Sequence, residues 1–191
     1  MKKYKIVALF GEAGAGKDYI QHNIMKTIWG QVNLNPIVSC TTRPPREGEI
    51  EGVHYHFISN PTDFAKKDLI ECALFRDWWY GTPVDSLDID KINIGIFNIK
   101  GIDQLINNDV ENRIECLPIY IKVTPKTRLL RQLQRETDSD CNEIIRRFLT
   151  DQADFLNIPF HYMIVKNEYN EIQPIVNEIN DLIREWSKEI K

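Results

Sequence analysis

The sequence predicts an α/β fold in which a parallel sheet is wound with right-handed crossovers. Two observations predict it. Short apolar segments typical of strands alternate with longer segments of helical periodicity. In addition, a glycine-rich turn joins the first predicted strand to the first predicted helix. The 191 residues fit one domain, and a hydrophobic content of 42% is enough for a sizeable core.

The first part of the chain contains the glycine-rich turn and a segment rich in strands. Residues 3–10, KYKIVALF, predict a buried strand that ends at Gly11. A helix is expected over residues 17–29, with Gly30 as its stop. Residues 37–88 have the pattern of an inserted lobe. We expect this lobe to contain a short strand after Pro36, a strand at 54–58, a helix with Thr62 as N-cap, the strand LIECALF and the aromatic turn DWWYGTP.

The second part of the chain returns to alternating strands and helices. Residues 91–101 are rich in Ile and Phe and predict a strand. A short helix is expected after it, and LPIYIKV predicts the next strand. A helix begins with Pro125 in its first turn and breaks at the polar run ETDSDC. The remaining expected elements are a helix over NEIIRRFLTDQADFL, a strand at FHYMIVKN and a final amphipathic helix from residue 171.

Composition and charge exclude several classes of protein. A net charge of -4 gives no reason to expect a broad nucleic-acid surface. The scattered cysteines, with no C-x-x-C pair, favour neither a zinc site nor a disulfide framework; they are Cys40, Cys72, Cys116 and Cys141. The apolar run at residues 6–10 is too short for a secretory signal, and no stretch approaches 18 apolar residues. We therefore expect a cytoplasmic protein without a membrane span.

The turn FGEAGAGKDYI has the glycines and the lysine of a phosphate-binding loop. Glycines allow backbone N–H groups to converge on phosphate oxygens at the positive end of the following helix, and Lys17 can bridge the β- and γ-phosphates. A chance glycine-rich turn is the alternative, which the strand-loop-helix context disfavours. The residues that we expect to bind ATP are Gly11, Glu12, Ala13, Gly14, Ala15, Gly16, Lys17 and Asp18.

Asp18 follows the lysine at the position where Ser or Thr usually holds magnesium. A carboxylate about 5 Å from a phosphate oxygen is repelled by roughly 3 kcal/mol at an effective dielectric constant near 20. With Mg²⁺ between the two groups the sign reverses, because carboxylates are good magnesium ligands. Asp18 is thus a candidate metal ligand. It is alternatively an acid stabilised by the dipole of the helix N-terminus.

Arg43 and Arg46 stand three residues apart in a loop stiffened by prolines. Planar guanidinium groups can clamp a phosphate with paired hydrogen bonds, and stiffening lowers the entropy lost when the clamp orders. Taken alone, the pair is also compatible with two solvated surface arginines.

This part of the sequence closely resembles the guanylate kinase signature, S-x-T-T-R-x-P-R-x-G-E followed by G-x-x-Y-x-F. The matching residues are Ser39, Thr41, Thr42, Arg43, Pro45, Arg46, Gly48, Glu49, Gly52, Tyr55 and Phe57. The resemblance extends nearly end to end. LIECALFRDWWYGTP is similar to the family segment L-x-E-x-A…Y-G-T, LLRQLQRETDS to its lid, and EIIRRFL to the helix that follows.

The resemblance implies the fold of a nucleoside monophosphate (NMP) kinase. This fold has a five-stranded parallel core sheet with helices on both faces, a β-rich NMP-binding lobe and a helical lid. The implied boundaries are core 1–36, 89–125 and 158–191, lobe 37–88, and lid 126–157. The implied reaction is transfer of the γ-phosphoryl group of ATP to GMP or dGMP with Mg²⁺, by a cytoplasmic monomer or homodimer without nucleic-acid or membrane partners.

The resemblance also implies roles for individual residues. The GMP phosphate would be held by Arg43, Arg46, Tyr55 and Tyr80. Guanine would be read by Ser39, Glu71 and Thr82, because a carboxylate can accept from N1–H and the 2-amino group while a hydroxyl serves O6. In the lid, Arg135 and Arg147 correspond to arginines that reach the transferring phosphoryl group, with Arg146 as a weaker alternative to Arg147.

Three departures from the family pattern stand out. Asp18 replaces a hydroxyl residue, and Asn98 stands where a carboxylate normally contacts guanine. The lid is one residue shorter, with Glu136 in place of Gly. We hypothesise that the acid gained at Asp18 compensates for the one lost at Asn98. Two alternative functions remain open here: a deoxynucleoside monophosphate kinase of other or broad specificity, or a non-catalytic module that binds a protein ligand.

Overall fold

The computed structural model describes residues 2–46, 48–75, 77–107, 113–135, 141–168 and 171–189, with the backbone alone at 135 and 189. In chain order the strands are β1 Tyr4–Phe10, β2 Leu34–Pro36, β3 Cys40–Thr41, β4 His56–Phe57, β5 Leu69–Phe75, β6 Trp78–Pro83, β7 Ile92–Ile96, β8 Ile114–Lys122 and β9 Met163–Lys166. The helices are α1 Lys17–Lys26, α2 Ile28–Asn33, α3 Pro61–Ala65, α4 Ile99–Asn107, α5 Pro125–Arg135, α6 Cys141–Asp154 and α7 Gln173–Glu189.

The predicted parallel sheet is confirmed. Its strands lie side by side in the order β2-β7-β1-β8-β9, and every pairing is parallel. Side chains of β1 alternate between two faces, as the period of a strand requires. Val7 and Leu9 pack in one core cluster with residues of α1 and α7, whereas Ala8 and Phe10 pack in the other with residues of α4. Helices therefore cover both faces of the sheet.

Three connecting segments lie together at one edge of the sheet, because each follows the carboxyl end of a central strand. The glycine-rich turn follows β1, Asn98 follows β7 immediately before α4, and the segment that starts α5 follows β8. Because these strands are parallel and adjacent, their carboxyl ends meet, which is where open α/β sheets bind ligands.

Residues of the predicted lobe form a second sheet with the strand order β4-β3-β6-β5. The β3–β4 pairing is parallel, while β3–β6 and β5–β6 are antiparallel. The aromatic segment 77–83, predicted as a turn, is instead strand β6 from Trp78 to Pro83. Asp77 has a φ of 68°, so it supplies the left-handed conformation of this hairpin.

The prediction that Gly30 ends the first helix is wrong. The helix ends at Lys26, because Thr27 leaves the helical conformation and its Oγ1 accepts a hydrogen bond from the Gly30 N–H at 3.0 Å, which caps α2. Gly30 is a buried residue inside α2, and a Cβ there would lie 2.3 Å from the carbonyl oxygen of Ile24. Close approach of two turns, and not helix termination, explains this glycine.

Two further boundaries differ from the prediction. Asn60, not Thr62, caps α3, since the Asn60 Oδ1 accepts from the Thr62 N–H at 3.0 Å. The strand expected over residues 91–101 ends at Ile96, and Gly101 lies in α4. The break predicted at ETDSDC falls on residues 136–140, outside the described part of the chain. None of the described helices is long and apolar enough to cross a lipid bilayer.

Candidate active site

The glycine-rich turn between β1 and α1 depends on backbone conformations that favour glycine. The φ angle is 81° at Gly14 and 84° at Gly16. A Cβ on Gly14 would lie 2.7 Å from the carbonyl oxygen of Arg128, so this residue also allows α5 to approach closely. The turn presents the first amides of α1 at the carboxyl edge of the sheet, where unpaired N–H groups and the helix dipole favour an anion.

Lys17 curls back over this turn. Its Nζ donates to the carbonyl oxygens of Gly11 at 2.7 Å and Glu12 at 3.2 Å. Burial lowers the pKa of the ammonium group, while the charges of Asp18, Asp151 and Glu12 act in the opposite direction. A phosphate bound in the turn would favour the charged lysine in the same way, so the residue fits an anion site.

A buried cluster braces the turn from the side of α5 and α6. Arg128 is 1% exposed and pairs through Nη1 with Glu12, whose Oε2 accepts from the Tyr120 hydroxyl at 2.8 Å. Asp151 in α6 accepts from the backbone N–H of Ala13 at 2.7 Å. We call Glu12, Tyr120, Arg128 and Asp151 the bracing cluster. Both helices bond directly to the turn, so its shape depends on their position.

Residues at the end of β9 and in α5 also hold the turn. The Asn167 Nδ2 donates to the carbonyl oxygen of Ala15 at 2.7 Å. Arg131 donates to the carbonyl oxygens of Gly14 and Asn167, each at 3.4 Å. The turn is therefore fixed by side chains from three other elements before any ligand binds, which lowers the cost of ordering it around a phosphate.

Asp18 lies exposed in the first turn of α1, and no described residue donates a hydrogen bond to its carboxylate. Burial, then the neighbouring Tyr80, then Asp18 raise the pKa of Tyr55 to about 12, so Asp18 lies near the lobe as well as Lys17. The described residues hold no group of three or more His, Cys, Asp or Glu suited to a metal ion. One carboxylate beside the turn fits Mg²⁺ shared with nucleotide phosphates, not a closed protein cage.

Arg43 and Arg46 meet in the lobe, around Glu49. The Arg43 guanidinium forms two hydrogen bonds to the Glu49 carboxylate, both at 2.9 Å, and the Arg46 N–H donates to the same carboxylate at 2.7 Å. Arg43 is 7% exposed, and its buried Nε has no hydrogen-bond partner among the described residues. Burial, then the charges of Arg43 and Arg147, lower the pKa of Arg46. This concentration of positive charge fits an anion.

Two tyrosines lie beside the two arginines, and we call Arg43, Arg46, Tyr55 and Tyr80 the cationic cluster. The Arg43 guanidinium lies over the Tyr55 ring, 5.5 Å from its centroid, and near Tyr80. The rings of Tyr55 and Tyr80 pack edge to face at 5.9 Å. Phenol hydroxyls beside two guanidinium groups can each donate to a phosphate oxygen. The four residues predicted to hold the acceptor phosphate thus lie together.

Glu71 in β5, Thr82 in β6 and Ser39, the residue immediately before β3, form a row across the lobe sheet. Glu71 is paired with Thr82, and Cys40 with Gly81, which places Ser39 beside Thr82 on the other side. The Thr82 hydroxyl donates to Glu71 at 2.8 Å and lies 3.2 Å from the Ser39 hydroxyl. We call these three residues the base row.

The base row and the cationic cluster share one face of the lobe sheet. Tyr80 lies two residues before Thr82 on β6 and is paired with Thr41 and Ala73. Residues two apart on a strand point to the same face and lie roughly 7 Å apart. That separation suits a ligand with a phosphate at one end and a flat polar group at the other.

The start of α4 closes over the base row. Asn98 caps the helix, since its Oδ1 accepts from the Gly101 N–H at 2.8 Å. A Cβ on Gly101 would lie 2.7 Å from the Glu71 Oε2. Asn and Asp serve equally well as caps, which is one structural reason why an amide is tolerated at residue 98. The proposed contact of Asn98 with a base stays a prediction.

Glu71 is a buried carboxyl group, 6% exposed. Burial raises its pKa to about 7, and the hydrogen bond from Thr82 offsets part of that effect. A partner with two N–H donors would stabilise the ionised form and lower this pKa again. The residue is therefore poised to gain from a donor pair on a ligand.

Arg147 lies near the cationic cluster, since its charge contributes to lowering the pKa of Arg46. Its Nε donates to Glu143 at 2.6 Å. Arg146 also pairs with Glu143 but is 58% exposed and lies near Asp77 of the lobe hairpin. The side chain of Arg135 and all of Glu136 lie outside the described part of the chain, so the predictions for them remain open.

Comparison with known proteins agrees with this geometry. The family model described as guanylate kinase matches residues 3–185. The chain belongs to the guanylate kinase family. The solved structure of a guanylate kinase from Anaplasma phagocytophilum has the same fold, with a TM-score of 0.69 and 17% identity over 100% of this chain and 89% of that one.

Curated guanylate kinases are similar over most of the chain. The protein from Sulfurimonas denitrificans is 29% identical, over 95% of both chains. The one from Agrobacterium fabrum is 32% identical over 78% of this chain and 68% of its own. The Mycoplasma mycoides protein is 31% identical over 96% of this chain, but that match spans 61% of its own length.

Within this guanylate kinase family site, sequence reasoning missed Arg128, Asp151 and Gln104. One signal for Arg128 was available in the sequence: an acid, Glu12, inside a turn predicted to bind phosphate needs a nearby cation. Arg128 lies 116 residues after Glu12, and no local sequence pattern identifies it as the partner of that acid. Gln104 bonds to β5 through its side-chain amide, a role that helical periodicity does not reveal.

Proposed function

We propose that this protein transfers the γ-phosphoryl group of ATP to GMP or dGMP, giving ADP and GDP or dGDP. One observation carries the proposal: a single face of the lobe holds both the cationic cluster and the base row. A nucleoside monophosphate presents a phosphate and a base in this way. Family membership supports the kinase class, and the relatives named above are guanylate kinases.

In this proposal the base row selects guanine. The ionised Glu71 carboxylate accepts from N1–H and from the 2-amino group, and the Ser39 hydroxyl donates to O6. Thr82, whose hydroxyl donates to Glu71, holds that carboxylate in place beside the base. An adenine edge has no matching donor pair and would leave Glu71 unsatisfied, at a cost of about 1–3 kcal/mol per unmet buried group. Asn98, next to Gly101, is proposed to support the same end of the base.

The acceptor phosphate lies between the two arginines and two tyrosines of the cationic cluster. Arg43 and Arg46 neutralise its charge, and Tyr55 and Tyr80 donate hydrogen bonds. One of its oxygens then attacks the γ-phosphorus while the bond to the β-phosphate oxygen breaks. Positioning and charge neutralisation carry the rate, and no covalent enzyme intermediate is needed.

The donor phosphates lie in the glycine-rich turn, residues 11–18, held by its amides and by Lys17. Arg147, together with Arg135, is proposed to stabilise the charge on the oxygens of the transferring group. The lobe (37–88) and the lid (126–157) are proposed to close on the core and exclude water, which limits wasteful hydrolysis of ATP. We propose a cytoplasmic enzyme, active as a monomer or homodimer.

Mg²⁺ is the cofactor proposed to accompany ATP. When bound, it would neutralise the negative charge that develops on the phosphates during transfer. Asp18 is the residue that would contribute to holding it. Without the ion, this carboxylate would repel the nucleotide.

A panel of acceptors tests the proposal. ADP formation is measured with GMP, dGMP, AMP, CMP, UMP and dTMP for the wild type, for Glu71→Gln and for Glu178→Gln, an exposed control in α7. We expect turnover with GMP and dGMP, a loss of roughly 100-fold in kcat/KM for Glu71→Gln because its paired charged acceptor is gone, and no change for Glu178→Gln. Absence of turnover with every acceptor, or preference for a pyrimidine, would overturn the proposal.

A further inference from the structure

Strand β5 is the outer strand of the lobe sheet, next to β6 alone in the order β4-β3-β6-β5. An outer strand presents backbone N–H and C=O groups that no neighbouring strand satisfies. In an antiparallel pair, alternate residues direct both groups away from the partner. Cys72, the residue after Glu71, has this outward orientation.

The side chain of Gln104 in α4 satisfies both outward groups of Cys72. The Cys72 N–H donates to the Gln104 Oε1 at 2.9 Å, and the Gln104 Nε2 donates to the Cys72 carbonyl oxygen at 2.7 Å. A primary amide carries the same donor and acceptor as a peptide group. Gln104 therefore takes the place of a neighbouring strand at this one position.

The two hydrogen bonds between Gln104 and Cys72, which we call the clamp, join the lobe to the core beside the base row. Gln104 lies three residues after Gly101, so both are on one face of α4. Gly101 sets how closely the helix approaches the Glu71 carboxylate, and Gln104 fixes the backbone of the next residue along β5. Together they fix Glu71 along the strand and against the helix.

We infer that Gln104 is a positioning residue for guanine recognition, which holds Glu71 in register with α4 while touching no substrate itself. The inference rests on the proposed function. A misplacement of about 1 Å can cost roughly 100-fold at a reacting or recognising group. Loss of the clamp should therefore act on the acceptor and not on ATP.

The test compares Gln104→Met, which keeps the length of the side chain and removes both hydrogen bonds, with the wild type. We expect KM for GMP to rise about tenfold, with kcat and KM for ATP within about twofold. IMP lacks the 2-amino group and uses one fewer donor to Glu71, so its KM should rise less. Hydrogen exchange of the Cys72 amide should become faster.

Two controls separate positioning from general stability. Asn107→Ala removes an exposed amide hydrogen bond within α4, to the Asp103 carboxylate at 2.7 Å, and leaves both bonds to Cys72 in place. Ile102→Val removes a fully buried methyl group from the same helix. Both should leave KM for GMP and the GMP-to-IMP preference unchanged, even where the melting temperature falls.

Each outcome decides the inference. If Gln104→Met lowers the melting temperature as Ile102→Val does and leaves KM for GMP and the GMP-to-IMP preference unchanged, Gln104 is merely structural. If Gln104→Met fails to fold, Gln104→Glu, which keeps the acceptor for Cys72, must show the raised KM or the inference is wrong. Failure of the wild type to phosphorylate GMP would instead count against the proposed function.

Discussion

Replacement of Gly101 by alanine should separate stability from substrate recognition. The new Cβ would lie 2.7 Å from the Glu71 Oε2, so the carboxylate must recede by about 0.7 Å to reach ordinary contact near 3.4 Å. Alanine is favoured over glycine inside a helix by about 1 kcal/mol, which offsets the crowding. We therefore expect the free energy of unfolding to change by less than about 1 kcal/mol.

The displaced carboxylate would lose well-aligned hydrogen bonds to guanine. Hydrogen bonds to a charged group contribute about 1.5–3 kcal/mol, so KM for GMP should rise roughly 10- to 150-fold. Steady-state kinetics with GMP varied at saturating ATP, together with thermal denaturation, measure both effects. Gly101→Ser should be at least as severe, and KM for ATP should not move. An unchanged KM for GMP in Gly101→Ala would show that α4 does not confine Glu71.

Three further predictions concern titration, metal and stability. Burial raises the pKa of Glu71 to about 7, so the carboxyl group becomes protonated and loses its pair of acceptors as the pH falls. We therefore expect kcat/KM for GMP to fall by up to tenfold per pH unit below pH 7. The Glu71→Gln variant should show no such pH dependence. In magnesium titrations, Asp18→Asn should weaken the dependence on Mg²⁺ more than Asp18→Ser combined with Asn98→Asp does; equal activity throughout would refute compensation. In denaturant unfolding, Arg128→Met should cost about 3–5 kcal/mol by leaving Glu12 charged and buried, and adding Glu12→Gln should recover most of it; a loss below about 1 kcal/mol would contradict the buried pair.

The sequence is most informative where a local pattern has one physical solution. The apolar run before Gly11, the glycines with Lys17 and the alternation of strands and helices together predict a parallel sheet with a glycine-rich turn after its first strand, and the structure has both. The residues of the base row come from the family resemblance. Their alignment comes from strand register, which sequence spacing does not fix across a sheet.

Predictions failed where tertiary contact outweighed local preference. Glycine often ends a helix, so Gly30 was expected to do so, yet its close packing against the carbonyl group of Ile24 places it inside α2. Aromatic residues after Asp77 suggested a turn, but β-propensity of Trp and Tyr extends β6 through them. The pairing of Arg128 with Glu12 depends on where α5 docks, which no local window contains.

The central claim is that GMP accepts a phosphoryl group from ATP on this protein. Phosphorus NMR of the purified wild type with ATP, GMP and Mg²⁺ tests it by identifying both products directly. We predict that GDP and ADP appear in equal amounts as GMP and ATP disappear, with AMP in place of GMP giving no comparable reaction. Release of inorganic phosphate without GDP, or an unchanged spectrum, would contradict the account.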